Sequence, residues 1–133
     1  MIQILLVDDN TVQALVRKAI LGRSVGEVAI APSAKVALEM ICNKQVAATL
    51  ELIVTDHWMP GMNGPEFVHR LREQLPEIPV VVLSGQPDAE PEYQGLDVHF
   101  RTKPVDPQHL IRLARELMQS KSESSAWSAC RSA

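Results

Sequence analysis

Short apolar runs alternate with segments of helical period along the whole chain, and the elements follow from that alternation. Ile2 to Val7 is a continuous aliphatic run closed by Asp8, Asp9 and Asn10, which predicts a buried strand. Apolar residues then recur at Val12, Leu15, Val16, Ala19 and Ile20, one face of a helix that Asn10 or Thr11 can cap and Gly22 can end. Val25 to Ala31 is a second strand. Ser33 can cap a helix carrying Ala34, Ala37, Leu38 and Ile41 on one face, and Asn43 to Thr49 is a connection without a clear period. Leu52 to Thr55 forms a third strand ending at Asp56. The stretch Pro60 to Pro65, with two prolines and two glycines, predicts a loop, and Phe67, Val68, Leu71 and Leu75 face inward from the helix after it. Pro79 to Leu83 is a fourth strand stopped by Ser84 and Gly85, and Asp97 to Arg101 a fifth, shorter one. Asp106 caps a last helix that starts with Pro107, where a missing N–H costs nothing, and buries Leu110, Leu113, Ala114 and Leu117.

Five strands alternating with helices imply an α/β fold, a doubly wound parallel sheet covered on both faces. Ligands of such sheets bind beyond the carboxyl ends of the strands. The chemically capable residues stand there: Asp8 and Asp9 after the first strand, Asp56 at the end of the third, Ser84 at the end of the fourth, Lys103 just past the fifth. Three carboxylates brought together repel one another and acquire raised pKa values unless a cation joins them. A hard divalent ion answers this, and Mg²⁺ suits a site with few protein ligands and room for water and phosphate. One carboxylate can then attack phosphorus, with the lysine and metal neutralising the phosphoryl oxygens and a hydroxyl donating to them.

Length and charge narrow the alternatives. At 133 residues the chain suits one domain, and a formal net charge of -3 argues against nucleic-acid binding through overall charge. The apolar run at the N-terminus is too short for a signal sequence or a membrane span, which favours a cytoplasmic protein. Cys42 and Cys130 match no metal or redox spacing, and Cys42, within an apolar helical pattern, reads as a buried thiol. His57, His69, His99 and His109 share no metal spacing either, and His57 reads as a surface residue.

The series Leu5-Leu6-Val7-Asp8-Asp9-Asn10, Val54-Thr55-Asp56-His57-Trp58-Met59-Pro60-Gly61-Met62-Asn63-Gly64, Leu83-Ser84-Gly85 and Thr102-Lys103-Pro104 resembles the receiver domain of two-component response regulators, over roughly residues 1–119. The resemblance implies a flavodoxin-like sheet of strand order 2-1-3-4-5 and a signalling switch phosphorylated by a sensor histidine kinase or a phosphotransfer protein. It implies that Asp56 is the phosphoacceptor and a metal ligand, that Asp9 binds Mg²⁺ directly and Asp8 mainly through water, and that the Trp58 carbonyl is a further ligand. Ser84 and Lys103 would hold phosphoryl oxygens, Gly85 would leave space beside them, the bond before Pro104 would be cis, and Phe100 would stand at the family's switch aromatic. Taken alone, Phe100 also has a plain core reading. The Trp58 ring, two residues past the acceptor, would overhang the phosphoryl group and slow attack by water.

Two stretches depart from that pattern. Pro87 and Pro91 fall where the family places its fourth helix, which predicts a shortened or irregular one. Residues 120–133 are serine-rich without apolar period and read as a flexible tail or the start of a linker, so that the chain is either a single-domain regulator or the receiver part of a larger one. Two rival functions share the acidic residues: a haloacid-dehalogenase-like phosphatase with Asp8 as nucleophile, whose opening motif Asp8-Asp9-Asn10 matches only partly, and a binding module that is never phosphorylated.

Overall fold

The computed structural model describes residues 1–132, with side chains through residue 119. Strands β1 (Ile4–Val7), β2 (Val28–Ala31), β3 (Leu52–Asp56), β4 (Val80–Ser84) and β5 (His99–Thr102) alternate with helices α1 (Thr11–Ser24), α2 (Ala34–Ile41), α3 (Lys44–Thr49), α4 (Gly64–Gln74) and α5 (Pro107–Ser132), and a 3-10 segment η1 (Pro87–Tyr93) lies between β4 and β5. Every strand pairing is parallel, in the order β2-β1-β3-β4-β5. This is the doubly wound, flavodoxin-like sheet expected. Alternation along the strands sends Leu5, Val7, Ile53, Val80 and Val82 to one face, against Phe67, Val68 and Leu71 of α4 and Ala34, Ala37 and Ile41 of α2. Ile4, Leu6, Leu52, Val54, Val81 and Leu83 go to the other, against α1 and Leu110, Leu113 and Ala114 of α5. With both faces covered, each strand has to be a nearly unbroken aliphatic run.

The structure differs from the sequence reading in several places. β1, β2 and β5 begin two or three residues later than the apolar runs suggest. The connection after α2 contains α3, which Asn43 caps by accepting from the backbone N–H groups of Gln45 and Val46. Cys42 ends α2 rather than packing inside it: it is exposed, and its thiol donates to Gln74 Oε1 at 3.5 Å. The serine-rich stretch expected as a tail is helical in backbone to Ser132, since no proline or glycine after Pro107 interrupts α5. Its side chains and Ala133 lie outside the described residues, and the domain boundary at 119 stays an expectation.

The largest difference is the rotation of α1. Its apolar stripe turns outward, leaving Val12, Leu15 and Val16 exposed by 73%, 56% and 54%, while Ala14 and Leu21 pack inward. The cause is electrostatic. Arg17 lies on the inward side and reaches buried carboxylates at the ends of β1 and β3, with Gln13 accepting from its guanidinium, and a buried charge left alone costs several kcal/mol. Among the described residues no helix is long and apolar enough to cross a membrane.

Candidate functional site

The parallel ladder aligns the strand ends. Val7 stands opposite Thr55, Asp56 opposite Leu83, and Ser84 opposite Thr102. Backbone bonds continue one step beyond: Asp8 N donates to Ala31 O (3.1 Å), His57 N to Leu83 O (2.9 Å) and Lys103 N to Ser84 O (2.7 Å). The side chains that follow each strand are therefore held by the sheet itself.

Asp8 and Asp56 are buried and Asp9 is exposed, and each offers a carboxylate oxygen within 4.8 Å of the others. Lys103 Nζ lies 2.9 Å from Asp56 Oδ1. Arg17 Nη1 lies 3.2 Å from the same oxygen and 3.0 Å from Asp8 Oδ2. Gln13 Oε1 accepts from both cations, at 3.2 Å from Arg17 Nη1 and 3.4 Å from Lys103 Nζ. Asn10 N donates to Asp8 Oδ1 at 2.9 Å. Burial pushes the Asp8 carboxyl up to about 7, and the neighbouring Asp56 adds to the rise, while the Asn10 amide and the Arg17 charge oppose it.

Ser84 is buried, and its hydroxyl is tied into a local turn, donating to Gln86 O (3.0 Å) and accepting from Gln86 N (2.9 Å). A Cβ added at Gly85 would meet nothing within 4 Å, so the space expected beside the acceptor is open. Trp58 is 72% exposed. Phe100 is buried with its ring centroid 5.9 Å from that of Tyr93, and the Lys103–Pro104 bond is cis.

The model of the response regulator receiver domain matches residues 4–115. The chain belongs to that family. Two-component response regulator ORR6 of Oryza sativa subsp. japonica is 38% identical over 119 residues, covering 86% of this chain and 69% of that protein. ORR5 of the same subspecies is 33% identical over 121 residues, covering 87% and 88%. Among solved structures, a CheY-like receiver domain protein from Methanospirillum hungatei superposes with a TM-score of 0.82 at 25% identity, covering 93% of this chain and 98% of that one. Chemotaxis protein CheY4 of Vibrio cholerae gives 0.74 at 26%, covering 88% and 98%.

Receiver domains bind Mg²⁺ through acidic residues, and the donors present fit that ion: three carboxylates, all oxygen, two buried and one exposed, at one edge of the sheet. Asp8, Asp9, Asp56, Ser84 and Lys103 stand at the strand ends on this edge, Trp58 is exposed, and Phe100 packs against Tyr93. Sequence reasoning missed three residues. Gln13 and Arg17 were hidden because hydrophobicity pointed to the other side of α1; the available signal was their i, i+4 spacing, which puts two polar side chains on the face shared with Ala14 and Leu21. His57 was read as a surface residue, yet it is buried with Nδ1 2.6 Å from Tyr93 Oη, a contact 36 residues distant that local pattern cannot reveal.

Proposed function

We propose that this receiver domain is a cytoplasmic switch in which Asp56 takes a phosphoryl group from a phosphohistidine of a sensor histidine kinase or a phosphotransfer protein. One observation carries the reading: at the end of the central strand, Asp56 Oδ1 stands 2.9 Å from Lys103 Nζ with two further carboxylates within ligand distance. The carboxylate oxygen of Asp56 attacks phosphorus, the phosphorus–nitrogen bond breaks, and the imidazole leaves. No general base is required, since Asp56 reacts as the carboxylate. Lys103 transfers its pairing to a phosphoryl oxygen, and the Ser84 hydroxyl exchanges Gln86 O for another, a short movement across the open space at Gly85. Mg²⁺, when bound by Asp8, Asp9, Asp56 and the Trp58 carbonyl, supplies positive charge for the phosphoryl oxygens. The new charge shifts a pre-existing balance between two conformations, with Phe100 as the aromatic that responds. The chain catalyses only its own phosphorylation and dephosphorylation. The donor must approach from the sheet edge, where the exposed Val12 of α1 lies a few residues from Asp9.

The phosphatase reading is weaker. Asp8 is bonded to Arg17 and raised to about 7, which leaves it partly protonated at neutral pH and a poor nucleophile. The test treats the protein with a small acyl phosphate and Mg²⁺ and measures its intact mass. A phosphoryl increment that vanishes in Asp56→Asn is the expected outcome; no increment in the wild type overturns the reading.

A further inference from the structure

Among the described residues two cations meet the Asp56 carboxylate, and only Lys103 has a place in the chemistry above. The other is Arg17, whose Nη1 bridges Asp8 Oδ2 at 3.0 Å and Asp56 Oδ1 at 3.2 Å. Its side chain is 12% exposed and is braced one helical turn back by Gln13 Oε1 at 3.2 Å. The bracing holds the guanidinium inside the acidic cluster instead of letting it range over the surface. The helix also sacrifices apolar burial to bring this pair inward, leaving Val12, Leu15 and Val16 in solvent.

Mg²⁺ takes oxygen ligands at about 2.0–2.1 Å in a near-octahedral shell. An ion held directly by Asp56 and Asp9, and by Asp8 mainly through water, would need the two carboxylates that Arg17 Nη1 bridges. The two cations would draw on the same pair of carboxylates and repel each other. Lys103 is in no such conflict, because it meets Asp56 and Gln13 without touching Asp8.

We propose that Arg17 is an internal competitor of Mg²⁺: it bridges Asp8 and Asp56 in the metal-free domain, leaves them when the metal binds, and so sets the Mg²⁺ concentration at which the acceptor becomes competent. The inference rests on the assignment of Asp8, Asp9 and Asp56 as the Mg²⁺ site. Arg17 stabilises the metal-free form selectively, and whatever does so weakens metal binding by the same factor.

The experiment titrates Mg²⁺ by calorimetry into the full chain as wild type, Arg17→Met and Arg17→Gln, and follows thermal unfolding of each without metal and at saturating Mg²⁺. Met keeps an unbranched stem without charge; Gln keeps a donor without charge. Both variants should bind Mg²⁺ about tenfold more tightly than wild type, a coupling of ordinary size. Their unfolding midpoints should lie below wild type without metal and coincide with it at saturation. A variant that folds only when Mg²⁺ is supplied would meet the same expectation. Unchanged Mg²⁺ affinity in both variants, or a midpoint deficit equal with and without metal, would make Arg17 a packing residue and overturn the proposal alone. Absence of Mg²⁺ binding in the wild type and both variants would overturn the metal-site assignment with it.

Discussion

Replacing Tyr93 with phenylalanine removes one oxygen and tests how η1 is held. The Tyr93 hydroxyl and His57 Nδ1 share a hydrogen bond of 2.6 Å, and Glu92 Oε2 lies 3.9 Å from His57 Nε2. Tyr93 is 3% exposed and His57 8%, so the unpaired nitrogen gains little from water. A buried polar atom stripped of its partner costs about 1–3 kcal/mol. In a domain of this size 1 kcal/mol moves the midpoint by roughly 3–5 °C, so Tyr93→Phe should melt about 5–10 °C lower. Gly64 provides a control. Its missing Cβ is what admits the Tyr93 hydroxyl, since a methyl there would overlap that oxygen and come within 2.9 Å of His57 O. Gly64→Ala should therefore be destabilising in the wild type and less so in Tyr93→Phe, a coupling of about 1 kcal/mol from relief of the overlap, partial because the carbonyl contact remains. The assay is a four-protein thermal and denaturant unfolding cycle. A Tyr93→Phe midpoint within a degree of wild type, or Gly64→Ala costs that are equal in the two backgrounds, would refute the reasoning.

Two further outcomes are expected. If the exposed Trp58 ring overhangs the acyl phosphate, as the family resemblance implies, Trp58→Ala should shorten the lifetime of the phosphorylated protein severalfold; decay of radiolabelled protein at the wild-type rate would exclude this. Mg²⁺ binding should weaken as pH falls below about 7, because the raised pKa of Asp8 keeps the metal-free carboxyl protonated there and the ion must displace that proton. Affinity at pH 6 should be about tenfold lower than at pH 8, and calorimetry in buffers of different ionisation enthalpy should show proton release at pH 6; equal affinities would exclude it.

The chemistry of this site was legible because topology alone collects it. In a parallel sheet every strand points the same way, so Asp8, Asp56, Ser84 and Lys103 come together at one edge wherever the helices lie. Strand existence was equally legible, since burial on both faces demands unbroken aliphatic runs. The environment of the site was not. It depends on how α1 is rotated, and hydrophobic period gave the wrong rotation, because the stripe of Val12, Leu15 and Val16 is more apolar than the inward face that holds Ala14, Arg17 and Leu21. A buried charge outweighs several exposed methyl groups, and that comparison can be made only once Asp8 and Asp56 are known to be buried.

The prolines of η1 gave a correct expectation by a purely local rule, yet the rule says nothing of what replaces a helix. Pro87 and Pro91 lack donors, and the segment is a 3-10 run, whose i→i+3 bonds have poorer geometry than those of an α-helix. Its order therefore has to come from outside. Ala89 and Tyr93 supply it by burial, and Tyr93 reaches in three directions at once: its ring meets Phe100 of β5 at 5.9 Å and His57 at 5.5 Å, and its hydroxyl fills the space left by Gly64 at the start of α4. A regular helix would carry its own hydrogen bonds and could shift as a unit. Tyr93 ties this segment to the residue that follows Asp56, so a displacement of the acceptor loop is passed to η1 through that side chain.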